Sequence, residues 1–178
     1  MSSLKIQLSN LIRIGNSQEM RDAVMDFVGN NPNRFDALMD CITGGDTKLA
    51  QYAMYPFGFI LEKYPELGRK HIPTIMELLK KDSLHTAFRR NITRVLQYME
   101  LPEEIHGELI DQCFRMIENP QELPAVKANA IGILERLYQY YPEIANEITL
   151  VLEENYERES PAFRSRAKKL LRILRSAG

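Results

Sequence analysis

Three histidines, two cysteines and one run of carboxylates are the residues here whose types could do chemistry. His71, His85 and His106 stand apart, and none has a ligand-type residue one helical turn on. Ile75, Arg89 and Ile110 hold those places. A metal face on a helix needs two ligands at that spacing, so the three read as surface or cap histidines. Cys41 and Cys113 fall in different predicted helices without a CxxC spacing. They read as two buried thiols of a protein in a reducing compartment. Glu103, Glu104, Glu108 and Asp111 resemble an acid/base cluster in composition. Acidic residues at a helix start are what the helix dipole favours, which makes them a solvated face. The chain has no phosphate-binding glycine loop, no HExxH and no nucleophile elbow. No catalytic, cofactor or metal residue is therefore expected.

The elements that must position any site are helices. In 124–141 the apolar residues Val126, Ala130, Ile133, Leu134, Leu137 and Tyr141 repeat at helical spacing, the pattern of a buried stripe. Pro124 suits a first turn, and Pro142 ends the run. The pattern returns at Phe163-Ala167-Leu170-Leu171-Leu174 and at Phe88-Ile92-Val95-Leu96-Met99. Weaker copies are Tyr52-Pro56-Phe59-Ile60 and Met20-Val24-Phe27-Val28. With Met20, Tyr52, Phe88, Val126 and Phe163 taken as equivalent, the copies lie 32, 36, 38 and 37 residues apart. Between them Pro32, Pro65, Pro102 and Pro142 open a second series, 33, 37 and 40 residues apart. Two interleaved series of similar period describe one repeated helix pair.

The residue after each equivalent position is basic in four of five copies: Arg21, Arg89, Lys127 and Arg164, with Ala53 as the exception. An apolar–basic pair, then a small residue, then a Leu-rich end (Val126-Lys127, Ala130, Ile133-Leu134) resembles the second helix of HEAT-like, armadillo-type repeats. The resemblance covers roughly 17–177. Asp46 and Asp82 match the Asp that often opens that helix; the other copies lack it. The resemblance implies an all-α, right-handed α-α superhelix (a HEAT-like solenoid) of about five helix pairs in one domain, 1–178. The repeats are approximately 1–30, 31–64, 65–100, 101–141 and 142–178.

In chain order, a short helix over 3–14 is broken at Gly15-Asn16, and Ser17 caps 18–29. Asp46 caps 47–64, where Pro56 is expected to kink the helix, either simply as a bend of the stack or, in a functional reading, with Met54, Tyr55 and Phe57 off the core stripe as an exposed apolar patch. Pro73 makes 65–71 a candidate separate turn, and Asp82-Ser83 are expected to cap 84–99. All connections are short, as antiparallel neighbours require.

Composition narrows function less than architecture. Apolar residues at 44% supply a core, and a net charge of −1 gives no global field toward nucleic acid or membrane. No run is long enough to span a bilayer, and 1–13 lacks a signal-peptide core, so a cytoplasmic protein is expected. Charge is sorted by layer, however. The second helices carry 14 basic and 6 acidic residues, the first helices 9 and 14. By the resemblance, second helices line a concave surface. Arg89, Arg90, Arg94, Lys127, Arg136, Arg164, Lys168 and Arg172 would then face a common groove, with Tyr55 and Phe57 as apolar anchors. Two outcomes stay open: pairing of the layers with each other, or an anion-binding groove.

The expected function is a non-enzymatic scaffold that binds a protein or peptide, acidic in the version the basic layer favours. Nucleic-acid binding through the same layer is the second reading. A degenerate relative of the HEAT-like DNA glycosylases is the third. Those enzymes rely on tryptophans around a flipped-out base, and this chain has no Trp.

Overall fold

The computed structural model describes residues 3–81 and 85–177. Among them are ten α-helices and no strand. Five first helices, α1 (Ser3–Ile12), α3 (Pro32–Thr43), α5 (Ile72–Lys80), α7 (His106–Glu118) and α9 (Ala145–Asn155), alternate with five second helices. The second helices are α2 (Gln18–Val28), α4 (Thr47–Lys63), α6 (Thr86–Leu96), α8 (Pro124–Leu137) and α10 (Pro161–Ala177). The expected cap at Asp82-Ser83 lies outside the described residues; α6 is capped by His85, whose Nδ1 accepts from the Ala87 N–H at 3.1 Å. The first helices of the later pairs begin in 3-10 turns, Pro65–His71, Glu103–Ile105 and Pro142–Ile144. The separate turn expected over 65–71 is present, with Pro73 in the first turn of α5, where its missing N–H leaves no gap.

The helices gather into two compact units, Met1–Glu100 and Leu101–Gly178. In the first, α4 packs on α2, α3 and α6, with Phe35, Phe57, Ile60 and Val95 fully buried. In the second, α8 packs on α7 and α10, with Ile117, Ile133, Leu134 and Phe163 fully buried. Each such side chain contributes roughly 1.5–3 kcal/mol through burial.

Capping sets the phase of the second helices. Ser17 Oγ accepts from the Met20 N–H at 3.1 Å, Asp46 Oδ1 from Leu49 at 3.0 Å, and Ser160 Oγ from Phe163 at 3.2 Å. His85 and Leu123 occupy the same position before α6 and α8. The third residue after each cap is buried: Met20, Leu49, Phe88, Val126 and Phe163. This corrects the expected register of one copy, since Leu49, not Tyr52, is the equivalent residue. The buried stripe of α4 is Leu49, Ala53, Pro56, Phe57 and Ile60, while Tyr52 and Phe59 are only half-buried. The basic position of that copy is accordingly Ala50, not Ala53. The cause is that α4 is covered on two sides, so apolar residues encircle it and periodicity alone carries no phase. Gly29 ends α2 at φ 51°, a conformation glycine adopts without strain.

Side-chain contacts between pairs recur at one repeat of sequence. Arg13–Asp46 (2.5 Å), Lys70–Asp36 (2.5 Å), His71–Asp36 (2.8 Å) and Lys169–Glu135 (2.8 Å) each join residues one period apart in sequence. The ion pairs Arg94–Glu62 and Lys127–Glu159 have the same span. The period seen as apolar spacing is thus also the interval at which neighbouring pairs exchange charge.

Candidate functional site

The outward side of α4 in the first unit carries a row of half-buried aromatics: Tyr52, Tyr55 and Phe59. They share one side because their spacing follows the helical turn, and Asp46 sets the phase by capping Leu49. Tyr55 and Phe59 meet edge to face at 5.5 Å. Two guanidiniums from neighbouring second helices brace the row. Arg21 of α2 lies 4.7 Å from the Phe59 centroid, and its Nη1 donates to the Tyr55 hydroxyl at 3.4 Å. Arg94 of α6 lies 4.3 Å from the same ring. Phe59 therefore contacts a cation from each side, an arrangement of ring quadrupole and charge worth roughly 0.5–1 kcal/mol per exposed contact.

Carboxylates complete the face. Asp22 accepts from Arg21 at 2.8 Å and holds the guanidinium pKa above its ordinary value, chiefly through that hydrogen bond. Glu62 pairs with Arg94. At the N-terminal end of the row, Tyr52 and Lys48 border a cavity of about 330 Å³ that also takes in Ile14, a large apolar side chain left 71% exposed. The result is an aromatic strip with pre-placed Arg heads and an apolar recess. Arg heads held by rings and carboxylates lose little rotamer freedom when a ligand carboxylate arrives.

The ten residues expected to contact a partner are dispersed. Tyr55 and Arg94 lie in the strip. Arg90 is exposed and Arg89 half-buried on α6. Phe57 is fully buried and stacks on Phe35 at 6.2 Å, so the expected patch of Met54, Tyr55 and Phe57 reduces to Tyr55 alone. Its apolar neighbours are Tyr52 and Phe59, which the misplaced register had assigned to the core. Lys127 is 2% exposed and ion-paired to Glu159, a second correction: its charge is used inside the second unit. Arg136 is half-buried, and loss of hydration lowers its pKa from the ordinary value. Arg164 is half-exposed, and Lys168 and Arg172 are exposed, on α10. Arg21 was not foreseen, although its place in the apolar–basic pair marked it.

The histidines divide. His85 is a helix cap and His71 a hydrogen-bond partner of Asp36, whereas His106 is only 6% exposed, against the expectation of a surface residue. Its Nε2 lies 2.9 Å from the Leu101 carbonyl, which can only accept, so Nε2 carries the proton. Nδ1 then accepts from the Tyr141 hydroxyl at 3.0 Å. Glu103, Glu104, Glu108 and Asp111 are exposed, as a solvated helix start requires. Among the described residues no three His, Cys, Asp or Glu side chains converge as a metal set.

Among the described residues, ten helices alternating as first and second members of pairs define an all-α helical-repeat protein of the solenoid class. A family model described as HEAT repeat domain matches residues 4–174, and the chain belongs to the HEAT repeat family. No curated protein and no solved structure matches it. Among the described residues no helix is long and apolar enough to cross a membrane.

Proposed function

We propose that this protein is a non-enzymatic scaffold whose second-helix face in the first unit binds an extended or helical protein segment bearing acidic and apolar side chains. The observation that carries this reading is the Arg21–Phe59–Arg94 arrangement: a half-buried ring gripped by cations from two neighbouring repeats. Aromatic and Arg side chains are the types that dominate binding energy at interfaces. Tyr52, Tyr55 and the Ile14 recess supply the apolar part, and Arg90 adds charge. A cytoplasmic setting belongs to the same reading and is supported by two free, buried cysteines.

The test is selection of a random peptide library on the immobilised full chain, followed by affinity measurement. Peptides combining Asp or Glu with an aromatic or Leu are expected. Phe59→Ala and Arg94→Glu should each weaken them about tenfold or more, equivalent to roughly 1.4 kcal/mol. Unchanged affinity in both variants would refute the site. Retention on duplex DNA or RNA with a steep salt dependence would instead establish the nucleic-acid reading.

A further inference from the structure

The second unit repeats one contact that α10 leaves open. Counted from the helix caps, Lys127, Ile131, Leu134 and Glu135 of α8 occupy the positions that Arg164, Lys168, Leu171 and Arg172 occupy on α10. On α8 these positions meet the next pair. Ile131 and Leu134 are fully buried, Lys127 is paired with Glu159, and Glu135 is paired with Lys169 at 2.8 Å. On α10 Lys168 and Arg172 are exposed and Arg164 is half-buried, while Leu171 is buried at 7% exposure with one edge on the open side. Lys168, Leu171 and Arg172 line an open groove of about 640 Å³ between α9 and α10, with Tyr156 and Glu157 opposite. Among the described residues no carboxylate lies within ion-pair distance of Arg164, Lys168 or Arg172, while Arg175 at the rim pairs with Glu153 at 2.9 Å.

The molecule contains its own template for an occupant. Position 127 takes a carboxylate that stands just before the cap of the following helix, as Glu159 does. Position 135 takes a side chain ten residues further along that helix, at 169. On α10 the first position keeps its positive sign as Arg164, and the second reverses from Glu to Arg172. An occupant seated in the same register must therefore carry acid at both places. Lys168, in the column of Ile131, adds a third positive charge where the template is apolar.

We infer that the α9–α10 groove is a docking site for an acidic amphipathic helix of a partner protein, with carboxylates near its start and ten residues on, and Leu or Ala between them over Leu171. The site is separate from the aromatic strip of the first unit and does not depend on it.

The probe is a synthetic 20-residue Ala/Leu helix with Glu at positions 1 and 11, titrated by fluorescence anisotropy into the full chain at low and high salt. Binding at about 10 μM is expected, weakening with salt and falling at least about tenfold in Arg164→Glu/Arg172→Glu. The same peptide with Gln at both positions should lose binding, and the drop caused by Arg164→Glu/Arg172→Glu should persist in an Arg94→Glu chain, in which the strip of the first unit no longer takes an acidic segment. If the double reversal loses helical circular dichroism, Lys168→Gln/Arg172→Gln provides the same comparison with a milder change. Failure to bind at about 1 mM, or equal binding of the Glu and Gln versions, would overturn the proposal.

Discussion

Lys127 shows what a single charge does when the fold closes over it. Its ammonium is removed from water and retained by one carboxylate, Glu159, itself only 14% exposed. Taking both ions out of water costs several kcal/mol, and their attraction returns that only while the pair is intact. Breaking the pair from one side should therefore do more damage than removing both charges. Glu159→Gln is expected to destabilise the protein by about 3 kcal/mol, whereas Lys127→Met/Glu159→Gln should recover most of that loss. Urea unfolding of the two variants checks this; a single variant no worse than the double would refute it. The residue type read alone points the other way, because lysine is among the side chains least often buried. The partner lies 32 residues on, one repeat away, where a reading confined to a single helix does not reach. His106 is a milder case: its partners, Tyr141 and the Leu101 carbonyl, come together only when the turns before α7 and α9 are adjacent.

Helix boundaries were largely legible, since capping is local chemistry. Ser17, Asp46 and Pro124 announce their helices within a few residues. Helix phase was legible wherever one side is wet, as in α6 and α10, and failed in α4, where Leu49, Met54, Phe57 and Leu61 are all buried. That failure moved the candidate site: Tyr52 and Phe59 were assigned inward and Phe57 outward. Gly58 offered a clue, for it allows α4 and α6 to approach. A Cβ there would stand 2.7 Å from Asn91 Oδ1. Asn91 is 4% exposed, and its Nδ2 donates to the Ala87 carbonyl at 2.9 Å, so it cannot turn away without losing that bond. Gly58→Ala gains about 1 kcal/mol of helix propensity, and overpacking costs about 1–3 kcal/mol. A net loss of about 1 kcal/mol is expected, and Asn91→Ala in the same chain should convert it to a relative gain. Thermal melts of the four-member cycle would decide; additive effects would mean that the two positions do not touch.

At the scale of the whole chain, a net charge of −1 conceals an exchange of charge between repeats. The sorting of basic and acidic layers was legible from counts alone; the pairing was not, because it depends on which carboxylate sits one period away. Asp36 shows the consequence. Partial burial would raise its pKa, but hydrogen bonds and charge from Lys70 and His71 outweigh that and hold it below the ordinary value. Asp46 is also lowered, first by the Leu49 N–H it caps and then by Arg13. A carboxylate whose pKa is lower folded than unfolded contributes stability above its unfolded pKa, and that contribution disappears as pH falls through the folded one. The unfolded value for Asp is about 3.9. Stability should therefore change little from pH 7 to about 5 from these groups, then fall below about pH 4. Acid also leaves 23 lysines and arginines facing one another as their carboxylate partners neutralise, so added salt should slow the loss. Urea midpoints measured from pH 7 to 3 provide the test, with Asp36→Asn lowering the neutral plateau and flattening the acid limb. An Asp36→Asn chain with the parent's acid slope would show that this carboxylate does not couple folding to pH.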